Sequence, residues 1–380
     1  MKMYELSKET PLKDLFDKIG VTKEGSNILQ KKANTHYLYI KDLKSPAANI
    51  LKQDALSIGA DLAVPKNCVT CRDEFVEAIL FANDSQLLQL SNKEKIQPFG
   101  LKELETDFKK FLTKKKRKTQ IMGVLNANSD SFFSGSRFSR VGAQKKIEDM
   151  IEEGADIIDI GGVSSRPGSI GVDEKEEFDR VRDIIDVVAK YKLFNKTKFS
   201  LDSYSPLCIK YALDNGFSII NDITALQNDE VAKLASNYDA TVVLMHKLGS
   251  TQEMQKEPKY ENVILDIDAF LKQRIEKAKS FGIKDIVIDV GIGFGKTLNH
   301  NLLLLQNLEH FLHFDYPLLV GASRKSMINM IVPSKVEDRL PGTLAIHLEA
   351  KRRGASILRV HDVKEHFQAF KVQDSILEAF

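Results

Sequence analysis

Eight apolar segments, each followed by a stretch of helical character, fill the chain from residue 119 onward and constrain its fold most strongly. Strands that are apolar on both faces and that alternate with helices indicate a parallel sheet covered by helices. Eight such units in roughly 260 residues match the usual size of a (β/α)8 TIM barrel. The predicted strands begin at Thr119, Asp156, Lys198, Ser218, Thr241, Asp285, Pro317 and Ser356.

Helical patterns between these strands support the same fold. The clearest of them cover residues 143–154, 175–191, 264–281 and 343–354. A doubly wound open sheet is the structural alternative. No G-x-G-x-x-G follows the first strand, which disfavours the dinucleotide-binding form of that alternative.

A dense basic run, Lys-Lys-Lys-Arg-Lys at 114–118, separates two regions of different character. We interpret it as a solvated linker between a small α/β N-terminal domain of unknown role (1–113) and the barrel (119–380). In the N-terminal domain the patterns predict a strand at 35–43, a helix at 47–60, a short strand at 86–90 and helical structure over 93–112.

The overall composition narrows the class of partner. Lys and Arg number 55 against 53 Asp and Glu, a formal charge of +2, which is too balanced for a protein of nucleic acid or membrane surfaces. Small-molecule substrates are therefore expected, with no nucleic acid and no membrane partner. No apolar segment resembles a signal peptide or approaches a span of about 18 residues, so a cytoplasmic location is expected.

The chain has only three cysteines, an odd number that does not suit a disulfide framework. They are Cys68, Cys71 and Cys208. Cys68 and Cys71 form a C-x-x-C pair, but one pair lacks the further ligands of a closed zinc site. We interpret them as structural thiols.

Polar residues follow each apolar strand, and in a barrel the carboxyl ends of all strands meet on one face. Each of these residues alone could cap a helix or form a turn. Eight consecutive strands with such ends indicate a ligand site that uses much of the barrel mouth. The residues are Asn126, the Gly161-Gly162 turn with Ser164, Ser165 and Arg166, Asp202, Asn221 with Asp222, His246, Asp289, Lys325, and Arg359 with His361.

Four of these side chains suit a flat heterocycle that has alternating donors and acceptors. They offer two carboxylates, one amide and one cation, and a pterin ring is a ligand of this kind. The four are Asp202, Asn221, Asp289 and Lys325.

Three further strand-end side chains suit an anion. Arg359 and His361 are two residues apart on one strand, so they share a face and could bind phosphate or pyrophosphate. Asn126 could supply a neutral oxygen to a Mg²⁺ ion carried by that pyrophosphate.

Five motifs, in order along the chain, are similar to those of the dihydropteroate synthases, which are pterin-binding TIM barrels. The resemblance runs from about Lys118 to the C-terminus. The motifs are IMGVLN at 121–126 with DSF at 130–132, GGVSSRPG at 161–168, DVGIGFGK at 289–296, SRKS at 323–326 and RVHD at 359–362.

The resemblance implies a transferase that condenses hydroxymethyl-dihydropterin pyrophosphate with p-aminobenzoate in folate biosynthesis. It implies Mg²⁺ as cofactor with Asn126 as its ligand, and a homodimer. Asp202, Asp289, Lys325, Arg359 and His361 would be the catalytic set. The substrate-binding set it implies is Ser165, Arg166, Pro167, Asp202, Asn221, Met245, Asp289, Phe294, Lys325, Ser326, Arg359 and His361.

Several loop residues depart from the family pattern. Asn128-Ser129, Val163 and Val290 replace its usual residues, and the resemblance does not supply the N-terminal domain. A pterin-binding methyltransferase barrel and a non-catalytic paralogue are therefore the alternatives.

Two loops attract further interpretations. The glycines of 291–295, with Lys296, come close to a nucleotide phosphate loop, but a loop that needs close backbone approach explains them equally well. The loop 127–137 is long and polar apart from two phenylalanines, which predicts a mobile lid over the site.

Overall fold

The computed structural model describes residues 1–112, 117–127, 140–163, 172–249 and 257–378. The chain divides into two compact units. The first comprises Met1–Lys115 together with the segment that begins at Asp374, and the second comprises Lys116–Gln373.

The first unit is built on a small antiparallel sheet with strand order β1-β3-β2. Apolar side chains of the sheet and of the helices form its core, with Leu51, Leu62, Leu80 and Leu87 fully buried. Its elements are α1 (Leu12–Lys18), α2 (Lys23–Ala33), β1 (Thr35–Lys44), α3 (Ser45–Ser57), β2 (Asp61–Ala63), β3 (Phe75–Asn83), α4 (Asp84–Glu94) and α5 (Leu101–Phe111).

In this unit the predicted strand at 35–43 and the helix near 47–60 are confirmed as β1 and α3. The predicted strand at 86–90 is wrong, because those residues lie in α4. Asn83 and Gln86 form a capping box at the start of that helix. This is the reciprocal pairing of side chains with main-chain N–H groups that initiates a helix.

Two other features of the first unit also differ from the prediction. The helical region predicted over 93–112 is interrupted, since α4 ends at Glu94 and α5 begins at Leu101 after Gly100 in the left-handed conformation (φ 88°). Strand β3 was not predicted. Its exposed face carries Phe75, Ile79 and Phe81, so its alternation in burial is hidden in the sequence.

The second unit is a closed barrel of eight parallel strands, which confirms the predicted fold. Every strand begins within one residue of the predicted position. The strands are β4 (Gln120–Asn126), β5 (Ile157–Gly161), β6 (Lys198–Asp202), β7 (Ile219–Asp222), β8 (Thr241–Met245), β9 (Ile286–Asp289), β10 (Leu318–Val320) and β11 (Ile357–Val360).

Helices lie between the strands along the chain, and among the described residues the α-helices are α6 (Arg140–Glu152), α7 (Glu174–Lys190), α8 (Pro206–Asp214), α9 (Asp229–Asn237), α10 (Val263–Ser280), α11 (Leu298–Gln306), α12 (Ser326–Ile331) and α13 (Leu340–Arg352). A last helix, α14 (Val363–Leu377), follows β11, and its residues from Asp374 onward are grouped with the first unit. Among the residues described, none of the helices has the length and apolar character needed to traverse a bilayer.

An apolar layer closes the interior of the barrel. Each strand except β6 contributes one buried side chain to it, and neighbouring members are aligned by the strand register, as Met122 is with Ile157. The layer consists of Met122, Ile157, Ile219, Val243, Val287, Leu319 and Ile357. Such a filled interior leaves only the carboxyl ends of the strands for a site.

Candidate active site

On four of the strands, a polar residue of the site lies two positions further along than the member of the apolar layer. Because side chains alternate between the two faces of a strand, a step of two residues keeps a side chain inside the barrel. The interior therefore changes from apolar to polar within one pleat. The pairs are Ile157 and Asp159, Ile219 and Asn221, Val287 and Asp289, and Ile357 and Arg359.

Arg359 links two carboxylates across this polar level. Its Nε donates to Oδ2 of Asp159 at 2.6 Å, and its Nη2 donates to Oδ2 of Asp202, also at 2.6 Å. Asn221 Nδ2 donates to the same oxygen of Asp159 at 3.1 Å. One guanidinium thus joins side chains from β5, β6 and β11, and the amide of Asn221 adds β7.

Burial determines the charge states of this cluster. It raises the pKa of Asp202 to about 7, although the Arg359 cation opposes the shift, while the nearby Asp159 carboxylate adds to it. Burial also disfavours the charge on Arg359, but the Asp159 and Asp202 carboxylates more than offset this and hold its pKa above its ordinary value. Arg359 is therefore cationic, and Asp202 changes its charge near neutral pH.

Asp289 ends β9, and Lys325 lies in the segment after β10, directly before α12. The main-chain N–H of Gly291 donates to Asp289 Oδ1 at 2.7 Å, and burial raises the pKa of this carboxyl. Lys325 Nζ lies 4.5 Å from the centroid of the Phe294 ring and donates to the carbonyl of Ile292. Burial lowers the pKa of Lys325 to about 8, so its ammonium is retained at neutral pH.

The loop after β9 turns through three glycines with positive φ, Gly291 (69°), Gly293 (83°) and Gly295 (65°). A Cβ on Gly291 would lie 1.9 Å from the carbonyl oxygen of His246, which no side chain can tolerate. The loop therefore approaches the backbone after β8 so closely that only glycine fits at position 291. This is the close approach that the sequence offered as one explanation of these glycines.

Lys296, at the end of the same loop, is buried with 3% of its surface exposed. Its Nζ donates to the carbonyl of Phe294 and to His246 Nδ1, each at 3.0 Å. Burial lowers the pKa of Lys296 to about 7, and burial together with the Lys296 charge lowers that of His246 to about 3. A lysine held in this way cannot act as the phosphate-binding lysine of a nucleotide loop.

His361 is exposed just beyond the end of β11, and its Nδ1 lies 2.9 Å from the hydroxyl of buried Ser323. Arg324 forms a paired contact with the Asp362 carboxylate, through Nε at 2.9 Å and Nη2 at 2.6 Å. These contacts join the segment after β10 to the segment after β11.

Two buried histidines connect the same two segments, after β10 and after β11, through their main-chain groups. The main-chain N–H of Ala322 donates to His347 Nε2 at 3.1 Å, so the proton of His347 is on Nδ1 and is donated to His366 Nε2 at 2.9 Å. His366 Nδ1 donates in turn to the carbonyl of Asp362 at 2.5 Å. Burial lowers the pKa of both rings, which therefore remain neutral.

The structure brings most of the predicted site residues together at the barrel mouth. Asp202, Asn221 and Asp289 are buried there, and Lys325 and Arg359 are half-buried beside them. Met245, at the end of β8, packs with Ile223 and Phe294, while half-buried Asn126 ends β4 and exposed Ser326 begins α12. Asp222 is different: its carboxylate accepts from the main-chain N–H groups of Thr224 and Leu226, so it shapes a turn.

Part of the predicted site lies outside the described residues. Ser164, Ser165, Arg166 and Pro167 are among these, as is the proposed lid 127–137 apart from Ala127.

Two buried charged side chains that contact the site were not identified from the sequence, Asp159 and Lys296. Asp159 lies inside β5 and is completely buried, whereas the predicted groups lie at or after strand ends. Its signal was present, because a carboxylate two residues after Ile157 in an apolar strand faces the same interior as the strand-end groups. Lys296 was noted only as part of a glycine motif, and its sequence gives no sign that it is buried.

Three comparisons place this geometry among known proteins. The family model described as pterin binding enzyme matches residues 122–361. The bifunctional dihydropteroate synthase/dihydropteroate reductase of Helicobacter pylori is 41% identical over 368 residues, which is 97% of each chain. The dihydropteroate synthase of Haemophilus influenzae is 42% identical over 267 residues, covering 68% of this chain and 94% of that protein.

A solved structure agrees with these matches. Dihydropteroate synthase from Thermus thermophilus in complex with 4-aminobenzoate superposes with a TM-score of 0.62 at 32% identity, over 68% of this chain and 95% of that one. Together with its site, these matches show that the chain belongs to the pterin-binding enzymes and, among them, to the dihydropteroate synthase family of transferases.

We predict that Asp159→Asn lowers the pKa of Asp202 from about 7. The substitution keeps the side-chain shape but removes a neighbouring negative charge, and it leaves more of the Arg359 cation to Asp202. Carboxyl ¹³C NMR titration measures the shift. Asp156→Asn, which makes the same change just before β5, is the control and should leave the midpoint in place. An unchanged midpoint in Asp159→Asn would contradict the coupling.

A second prediction concerns stability. The pKa of Lys296 is about 7 in the folded chain, below its ordinary value of 10.5, so between these values only the unfolded state holds the proton. The free energy of unfolding should therefore rise with pH in that window, by up to about 1.4 kcal/mol per pH unit, and fall as the pH is lowered towards 7. Urea unfolding should show that Lys296→Met removes this component.

Exposed Lys284, which pairs only with exposed Asp239 in the contacts of the described chain, provides the control Lys284→Met. Lys284→Met should keep the pH dependence of the unfolding free energy seen in the parent chain. If Lys296→Met keeps it as well, Lys296 is not the group that titrates.

Proposed function

We propose that the chain condenses hydroxymethyl-dihydropterin pyrophosphate with p-aminobenzoate to give dihydropteroate and pyrophosphate. The observation that carries this proposal is the polar level of the barrel. A chain of this family places two carboxylates, an amide and an ammonium together there, directly above an apolar layer. Those groups are Asp202, Asp289, Asn221 and Lys325.

These groups complement the edges of a pterin ring. A pterin presents an amino group and ring N–H groups as donors, and a ring carbonyl and ring nitrogens as acceptors, so carboxylates and a cation can satisfy both kinds. Asp289 is held for this purpose by the Gly291 N–H, and Lys325 is held over the Phe294 ring. Asp202 and Asn221 are oriented by Arg359 and Asp159.

The pyrophosphate is assigned to His361 and Arg359. His361 is exposed at the end of β11, where Ser323 orients its ring, and Arg359 supplies a permanent cation on the same strand. As the bond between the methylene carbon and the pyrophosphate oxygen breaks, negative charge develops on the leaving oxygen. The Arg359 cation and the His361 ring as a hydrogen-bond partner, placed there, stabilise the transition state more than the ground state. The aromatic amine then forms the new carbon–nitrogen bond and releases a proton.

Asn126 is the proposed ligand for Mg²⁺. It is half-buried at the end of β4 and offers a neutral amide oxygen, which suits a hard cation that keeps most of its waters and binds phosphate oxygens. When bound, the ion would neutralise charge on the pyrophosphate.

The p-aminobenzoate is assigned to the side of the mouth that contains Phe294. The Phe294 ring lies against Met245 and Ile223, forming an apolar surface beside the pterin groups, and Ser326 follows Lys325 at the start of α12. Ser165, Arg166 and Pro167 are proposed to complete this border, as the family resemblance implies. The related Thermus protein was solved with 4-aminobenzoate.

The decisive test is release of pyrophosphate by the pure chain. We expect release that requires the pterin substrate, p-aminobenzoate and Mg²⁺ together, with dihydropteroate formed in equal amount. Transfer of a methyl group without pyrophosphate release would instead support the methyltransferase alternative. Pterin binding without any turnover would support a non-catalytic paralogue.

We predict that Lys325→Met and His361→Gln have separable effects on binding. Lys325→Met should weaken the binding of the pyrophosphate substrate and of free hydroxymethyl-dihydropterin to the same extent. The loss in binding free energy should be about 1.5–3 kcal/mol, the value of a charged hydrogen bond. His361→Gln should weaken mainly the binding of the substrate that carries the pyrophosphate. Calorimetry with both ligands measures this, and equal losses in His361→Gln would rule out its assignment to the leaving group.

Arg359→Ala is a less informative variant, because it leaves Asp159 and Asp202 buried without their cation. Loss of one partner of such a pair destabilises a fold by about 3–5 kcal/mol. A change in binding could then reflect damage to the barrel.

A second activity is proposed for the same chain, reduction of dihydropteroate. The Helicobacter pylori relative is named as a synthase and dihydropteroate reductase, and its match covers 97% of this chain, including the first unit. We expect dihydropteroate to be reduced by two electrons and two protons when the full chain receives a reduced nicotinamide or flavin. If the first unit performs the reduction, Lys325→Met should retain it. If the parent chain reduces dihydropteroate with neither a reduced nicotinamide nor a reduced flavin, the proposal is wrong.

The domain limits, location and assembly are proposed on the sequence pattern. The limits are 1–113 and 119–380 around the basic linker, the location is cytoplasmic and the assembly is a homodimer.

A surface of three consecutive exposed apolar residues supports self-association; they are Met330, Ile331 and Val332. Light scattering of the chain measures the oligomeric state.

A further inference from the structure

Two histidines and an aspartate meet on the outside of the barrel unit, apart from the groups described at the mouth. Asp268 lies on α10, and His310 and His313 lie on a 3₁₀ helix, Leu308–Phe314, between α11 and β10. His310 Nε2 is 3.0 Å from Asp268 Oδ1, and His313 Nε2 is 2.5 Å from the same oxygen. The proposed synthase chemistry does not use these three side chains.

The 3₁₀ helix explains why the two rings converge. Such a helix has three residues per turn, so the side chains at positions i and i+3 lie directly above one another. The centroids of the His310 and His313 rings are 5.0 Å apart, and both Nε2 atoms face α10. An α-helix of the same sequence would rotate the two rings apart.

The cluster combines the ligand types that late transition metals prefer. Two imidazole nitrogens and one carboxylate oxygen all lie within 4.8 Å of one another. Three protein ligands of this kind, with a remaining position for water, are typical of Zn²⁺ and similar ions. The ligand side chains are 9–24% exposed, so an ion can enter from solvent into a partly dry site.

The charge state of the aspartate fits a ligand. Burial alone would raise the pKa of Asp268, but hydrogen bonds from His310 and His313 hold it well below its ordinary value. To bind an ion, each histidine Nε2 that now contacts Asp268 must carry no proton, so that its lone pair can face the metal.

We propose that Asp268, His310 and His313 bind one divalent late transition-metal ion, with Zn²⁺ as the probe ion. The ion would fasten the segment before β10 to α10. This site differs in chemistry from the proposed Mg²⁺ position at Asn126, because imidazole ligands disfavour Mg²⁺.

The test uses the full chain, freed of metal and of any histidine tag. Titration with Zn²⁺ in excess Mg²⁺ should show one equivalent bound through this cluster and a rise in the melting temperature. His313→Gln and Asp268→Asn should each lose that equivalent and the thermal shift. Two variants on different elements guard against one that fails to fold.

Two controls make the outcome specific. His36→Gln breaks the similar His36–Asp84 contact of 2.6 Å in the first unit and should leave Zn²⁺ binding intact. Co²⁺ substitution should give the spectrum of nitrogen and oxygen ligands without an intense thiolate band, which excludes Cys68 and Cys71 as the ligands.

Three outcomes would overturn the proposal. These are no Zn²⁺ bound by the parent chain, undiminished binding in folded His313→Gln and Asp268→Asn, and a Co²⁺ spectrum of thiolate coordination. In the first case the three side chains form only a hydrogen-bonded cluster.

Discussion

The two paired carboxylates of the polar level, Asp159 and Asp202, depend on their contacts with the Arg359 cation. Asp159 is completely buried and Asp202 nearly so, and two carboxylates this close cannot both remain ionised in an apolar interior without a counter-charge. By pairing with both, Arg359 allows them to stay where they can orient Asn221 and a ligand. The bonds also cross the interior between β5, β6 and β11, so the same interaction that prepares the site helps to hold the mouth of the barrel in shape.

The barrel could be predicted almost completely from the sequence because its strands are buried on both faces. Such strands are mainly apolar runs that end in polar residues or glycines, with few interior exceptions such as Gly123 in β4, Asp159 in β5 and Ser200 in β6. In the first unit the sheet is exposed on one side, and β3 places Phe75, Ile79 and Phe81 on that side. The alternation that identifies a half-buried strand is then absent, and a short apolar run at 86–90 was mistaken for the strand.

The limits of prediction within the site have a different cause. Strand ends identify residues near the mouth, and Asp202, Asn221, Asp289 and Arg359 were found in this way. Asp159 lies inside β5 and not at its end, so strand ends alone do not identify it, although its spacing of two residues from Ile157 places it on the same interior face. The burial of Lys296 is set by the contact of its loop with His246, fifty positions earlier in the chain, and is visible only after folding.

The glycine loop after β9 limits how this edge of the site can evolve. Gly291 and Gly295 have left-handed backbones, and a Cβ on either would meet a carbonyl oxygen of the chain after β8. Lys296, beneath them, is bonded to both sides of that contact. The loop backbone is therefore nearly closed to substitution, and adaptation to a new ring-shaped ligand must come from the side chains between the glycines. Of these, Phe294 forms the apolar surface, so mutational change is directed to one aromatic position while the frame around it stays fixed.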